Sequence, residues 1–320
     1  MSRTSGIVIV VAVIVLAITP LAGQKRWTLG HTPDGQPDLQ GVWTFATITP
    51  LERPNELAGK QFFTEKEAAE YEKEFLARNN RDRRDGAADA DVSRAYNDFW
   101  WDSGNKVVPT RRTSLIIDPP DGKMPGLTPE AQKKAAERAE ARRLHGYDGP
   151  EDRPLQERCL NWATAGPPIL PSAYNNNIRI VQGAGYVAIL NEMIHDVRII
   201  PLDSRPHLPQ NVRLWLGDSR GRWDGNTLVV DTTNFTDKTN FRGADRNMHL
   251  IERFTRTGEN MLIYQFTVDN ETAFTHSWTA EVPMRSSSDP MFEYACHEGN
   301  YSLMNVLAGA RASEKSAAAK

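Results

Sequence analysis

Apolar and polar positions alternate through the second half of the chain, while two stretches of the first half repeat at helical spacing. A period of two marks strands with unlike faces, and a period near 3.6 marks amphipathic helices. After Pro154 the alternation predicts strands near residues 178–190, 194–201, 212–217, 220–223, 226–234, 247–256, 260–269, 273–282 and 291–296. Turn signals at Asp224-Gly225, Gly258-Glu259 and Asp269-Asn270 separate several of them. Consecutive strands with short connections predict an antiparallel meander, closed into a barrel or left as a curved sheet.

The first half reads differently. "TPDGQPDLQGVWTF" leads from turn residues into a first strand at Gly41-Val42-Trp43. Residues 64–78 predict a helix, with Thr64 and Glu67 as a capping box and Ala68, Tyr71 and Phe75 at helical spacing. The charged run "NNRDRRDGAADAD" reads as a solvated loop. A short strand at Leu115–Ile117 is stopped by Asp118-Pro119-Pro120. A second helix follows, capped by Thr128 with Pro129 at its first position. Its charge nearly all round places it on the surface. The expected organisation is a signal peptide over 1–23, an N-terminal arm with one strand and two helices over 24–155, an antiparallel β core over 156–311, and a disordered tail over 312–320.

Residues 1–23 change the picture of location. Arg3 precedes an apolar run from Ile7 to Ile18, followed by small residues at Ala22 and Gly23. That is the build of a secretory signal peptide, and the run is shorter than the roughly 20 residues of a comfortable membrane span. A retained anchor is the alternative. Cleavage near Gln24 gives a periplasmic or secreted protein with no membrane span. Cys159 and Cys296 then have an oxidising compartment in which to form one disulfide; two buried thiols are the other reading. The near balance of 38 basic and 41 acidic residues excludes the basic footprint of a nucleic-acid binder.

Candidate chemistry concentrates on the β core. Gly217-Asp218-Ser219 matches the serine block of GDSL-type esterases, but it lies in a meander with no βαβ pattern, and no Gly-x-Ser-x-Gly elbow exists. The stretch 214–235 reads better as a hairpin turning at Asp224-Gly225. On its second strand Val229, Asp231 and Thr233 share one face. His195 begins a strand with Val197 and Ile199 on its face, and His249 shares a face with Ile251 and Arg253. In a curled sheet, inward positions of neighbouring strands converge. His195, Asp231, His249 and Arg253 are therefore the candidate catalytic set, with histidines as acid and base, Asp231 as orienting carboxylate and Arg253 as anion clamp. Two histidines and a carboxylate can also hold a metal. No HExxH, CxxC or HxH signature accompanies them, so the metal stays open. No nucleotide loop or dinucleotide fingerprint is present, and no nucleotide cofactor is expected. His31, His145 and His207 fall in expected loops or at a helix end and are set aside. Glu252 and His297 are reserve ligand-binding residues. Trp100 and Trp101, in an otherwise polar segment, are expected to cap the barrel mouth and stack on a ligand. The amides of "AYNNNIRI" are candidates for a sugar or carboxylate.

The Gly-x-Trp of residues 41–43 resembles the first-strand signature of lipocalins. That resemblance implies a barrel plugged by the tryptophan and holding a small apolar ligand. "TSLIIDPPDGKMPG", "ERCLNWATAGPP", "LWLGDSRGRWDGNTLVVDTTNF" and "YACHEGNY" together resemble a group of exported bacterial proteins, which implies an envelope location and no particular reaction. The expected function is acid/base processing of a small molecule in a barrel mouth: isomerisation, elimination or hydrolysis. A non-catalytic barrel for an apolar or glycan ligand and a structural envelope protein are the alternatives.

Overall fold

The computed structural model describes residues 27–83, 101–238 and 241–319, with the single residues 89 and 98. The signal segment and Trp100 lie outside the described residues, and of His195 only the backbone is described. Ten strands form one antiparallel sheet: β1 Gly41–Thr44, β2 Ile116–Asp118, β3 Asn177–Gly183, β4 Tyr186–Asn191, β5 Val197–Pro201, β6 Asp218–Asp224, β7 Thr227–Thr233, β8 His249–Gly258, β9 Met261–Asp269 and β10 Trp278–Ser287. Their order is β5-β4-β3-β1-β10-β9-β8-β7-β6, with β2 beside β10 off this path. The sheet is thus two meanders joined through the N-terminal strand. Val42 of β1 stands opposite Arg179 on one side and Ser287 on the other. Trp43 sits fully inside at that seam and donates its indole N–H to the Leu39 carbonyl at 2.9 Å.

Alternation becomes burial along β3, β4, β5, β8 and β9, while β7 and β10 also bury residues on consecutive positions. β9 buries Leu262, Tyr264, Phe266 and Val268, and β10 buries Trp278, Ala280, Val282 and Met284. With Trp43, Ile178, Ile180, Ile189 and Phe254 they form one continuous apolar core on the inner face of the curled sheet. Asp224-Gly225 makes the β6–β7 turn as the sequence predicts, with Gly225 at φ 56°, a conformation that costs a glycine nothing. The stretch expected as one strand near 178–190 is two, because Ala184-Gly185 turns the chain between β3 and β4. Residues 212–217 and 291–296 are not strands. β10 begins five residues later than its expected start, because Ala273 and Phe274 donate back to the Asn270 carbonyl and extend the turn.

The lipocalin-like closed barrel is corrected here: the sheet curls but does not close. Ladder strands stand about 4.8 Å apart. At the two edges, side chains fill the gap instead. Ile200 of β5 and the following Leu202 lie against Gly221 of β6, where an added Cβ would come within 2.8 and 2.6 Å of them. The connection from β5 to β6, residues 202–217, is a proline-bearing loop rather than a tight hairpin.

Three helices flank the sheet among the described residues: α1 Glu65–Asn79, α2 Pro129–His145 and α3 Tyr301–Ala318. The Thr64–Glu67 capping box forms as predicted, and so does the Thr128 cap on Ala131 N–H at 3.2 Å. Only Ala131 of α2 is buried, as a surface helix requires. Residues 312–318 of the expected tail instead belong to α3, which the alanine-rich run favours by propensity although no residue of it is buried. None of these helices is long and apolar enough to cross a membrane. Cys159 and Cys296 form a disulfide with Cα atoms 5.7 Å apart, closing 137 residues of chain.

Candidate functional site

The outer face of β6–β8 carries a tight arrangement of titratable groups. Arg220 and Ile251 stand opposite Asp231 on either side, and His249 lies one diagonal step from it. Asp231 Oδ2 is 3.1 Å from His249 Nε2, and Oδ1 is 3.0 Å from His207 Nε2. One carboxylate therefore bridges two imidazoles. His207 Nδ1 faces Asp218 Oδ2 at 3.1 Å, so both of its ring nitrogens point at carboxylates. A neutral imidazole donates from one nitrogen and an imidazolium from both.

The loop bearing His207 is held down firmly. Asp218, almost fully buried, accepts the Leu208 N–H at 2.8 Å through Oδ2 and the Arg220 guanidinium at 2.5 Å through Oδ1. Asn234, also buried, donates to the carbonyls of Leu208, Pro209 and Val212 at 2.9–3.0 Å. These bonds make the loop a fixed support for the ring, although the chain there has no regular structure.

The electrostatics follow from the geometry. The hydrogen bond to Asp231 raises His249 above its ordinary 6.5, against a smaller opposing effect of burial, with the charges of Asp231 and Asp269 adding to the rise. The same bond lowers Asp231 below 3.8, helped by His207 and opposed by burial. Both groups remain about one-third exposed, so small molecules can reach them. His249 Nε2 is engaged, which leaves Nδ1 as its working atom.

The four expected catalytic residues are placed unevenly. Asp231 and His249 come together, but outside the curl rather than within it. Arg253 shares their face two alternate positions further along β8, with its guanidinium 3.9 Å from Asp224. The side chain of His195 is not described. Glu252 projects the other way, into the core, where it is fully buried. There it forms a two-pronged ion pair with Arg198 of β5 and accepts the Tyr264 hydroxyl at 2.8 Å. Burial holds that hydroxyl well above its ordinary range, so it stays a donor to Glu252 while also accepting Ile169 N–H at 3.0 Å. This network is a cross-brace between the two meanders, fully desolvated and out of reach of a ligand.

Trp101 lies elsewhere, on the wall of an open cavity of about 1170 Å³ between the C-terminal end of α1, the start of β3 and the chain after β10. His297 is exposed beside the disulfide. His207 is the residue that sequence reasoning missed. It lies between two prolines in a loop with no periodicity, and only the return of that loop to β6, beside Asp231, brings it into the site. Among the described residues, no group of three or more His, Cys, Asp and Glu side chains is placed to hold a metal ion. Each Nε2 is instead directed at an Asp231 oxygen. Compared with protein-family models, curated proteins and solved structures, the chain matches none.

Proposed function

We propose that the Asp231 cluster is a proton-transfer site acting on a small molecule by isomerisation, elimination or hydrolysis. The observation that carries this reading is the single carboxylate bridging two accessible imidazoles. In it, His249 moves a proton to or from the substrate through Nδ1, while Asp231 fixes the ring and stabilises its cation. His207 is a positioning residue: anchored at both nitrogens, it holds Asp231 from the far side. Arg253, loosely paired with Asp224, is available to a substrate anion on the same face. The site works outside the cytoplasm, a location supported by the disulfide and by the apolar run at residues 7–18.

The test is proton exchange and turnover, followed by NMR in heavy water, over a panel of ketones, esters and lactones. An active compound should lose about 100-fold or more of its rate in His249→Gln, with the melting temperature nearly unchanged. Undiminished turnover in that variant, or no turnover across the panel, would overturn the assignment.

A further inference from the structure

The Trp101 cavity is separate from the Asp231 cluster and has a different chemistry. Its walls carry four carboxylates, Asp98, Asp102, Glu192 and Asp289, against two guanidiniums, Arg81 and Arg285. Three of these carboxylates accept hydrogen bonds from the protein. Glu192 accepts the Asn177 amide at 2.6 Å and the Phe292 N–H at 2.9 Å, and Asp98 accepts the Arg81 N–H at 2.8 Å. Asp102 accepts a backbone N–H from Asn176, and among the described residues neither Asp102 nor Asp289 has an ion-pair partner.

Aromatic rings complete the wall. Trp101 meets Tyr174 edge-on with ring centres 6.3 Å apart, and Phe75 and Phe292 lie at the margin. Phe292 is 70% exposed, which leaves its ring open to a ligand. The protein already places one cation on this surface: the Arg81 guanidinium stands 3.7 Å from the centre of the Trp101 ring. Among the described residues, the buried indole N–H of Trp101 has no acceptor.

We infer that this cavity binds an organic cation with an apolar or aromatic body, its charged end at Asp102 and Asp289 and its body against Trp101, Tyr174 and Phe292. Two carboxylates without an ion-pair partner, set beside π faces, satisfy both halves of such a molecule. The cavity is slightly larger than the usual small-molecule range, so the ligand has room beyond its charged group. The potential there agrees. Burial foremost, with the charges of Glu192 and Asp289 adding to it, raises the Asp102 carboxyl above its ordinary range despite an opposing backbone hydrogen bond at Asn176. A bound cation would relieve that repulsion.

The experiment is calorimetric titration of the full-length protein at matched ionic strength with three probes: benzyltrimethylammonium, the uncharged 3,3-dimethylbutan-1-ol, and cellotriose as a neutral glycan. Saturable binding of the ammonium, at least tenfold tighter than the alcohol, is expected. Asp102→Asn/Asp289→Asn and Trp101→Ala should each weaken it at least tenfold, with circular dichroism confirming that both variants fold. Equal affinity for ammonium and alcohol, undiminished binding by the Asp102/Asp289 variant, or no ammonium binding would each overturn the inference. Cellotriose binding without ammonium binding would also overturn it and make the cavity a glycan site. Because neither Asp231 nor His249 lines this cavity, these results are independent of the proton-transfer reading.

Discussion

Asp231 and His249 each shift in the direction that strengthens their mutual bond, and the two shifts set a pH window. A histidine raised on folding contributes stability that is full below its unfolded value near 6.5 and is lost as pH rises through the folded value. A carboxylate lowered on folding contributes stability that is full above its unfolded value near 3.8 and is lost as pH falls through the folded value. The pair therefore contributes fully only between these two ordinary values. Thermal unfolding of the wild type and Asp231→Asn should differ most near pH 5.5 and less near pH 9. A difference of the same size at both would show that the pair adds no pH-dependent stability. Ile194, at φ 63°, is the other notable residue at this scale. A β-branched side chain there is strained, and its burial against Ala165 and Met193 holds it in place.

At the scale of elements, the gap between β5 and β6 matters most. At Gly221 a side chain would displace Leu202 and Ile200, which pack where its Cβ would stand. Gly221→Val should destabilise the protein by about 1–3 kcal/mol through overpacking, measured by urea unfolding. A neutral or stabilising result would mean that β-branching strengthens β6 more than the edges resist, and that the edges are free to separate. Much at this scale was readable from the chain. Both helix caps, the Asp224-Gly225 turn and the alternation of β8 and β9 are local features, and local chemistry fixes them. The Ala184-Gly185 turn and the late start of β10 were not readable, because each depends on backbone bonds that compete with strand pairing.

For the whole molecule, the disulfide ties the beginning of the second half to the segment after the last strand. Cross-linking so long a loop removes conformations from the unfolded chain, so Cys159→Ser/Cys296→Ser should cost about 3–5 kcal/mol in chemical unfolding. A loss below about 1 kcal/mol would mean that the unfolded chain is already compact across this span. The chain by itself determined a β-rich core, its capped helices, and which residues share a face along each strand. It also held the cysteine pair that the structure joins. Only the tertiary structure decided which face is the inside. β8 offers Leu250, Glu252 and Phe254 on one side and His249, Ile251 and Arg253 on the other, and a glutamate among apolar residues leaves the choice open. The inside goes to Glu252 because Arg198, 54 residues earlier, crosses the core to neutralise it. That pairing turns His249 and Asp231 outward, where a loop histidine from between two prolines completes their arrangement. Periodicity encodes alternation along a strand, but the identity of the buried side depends on partners that are distant in sequence.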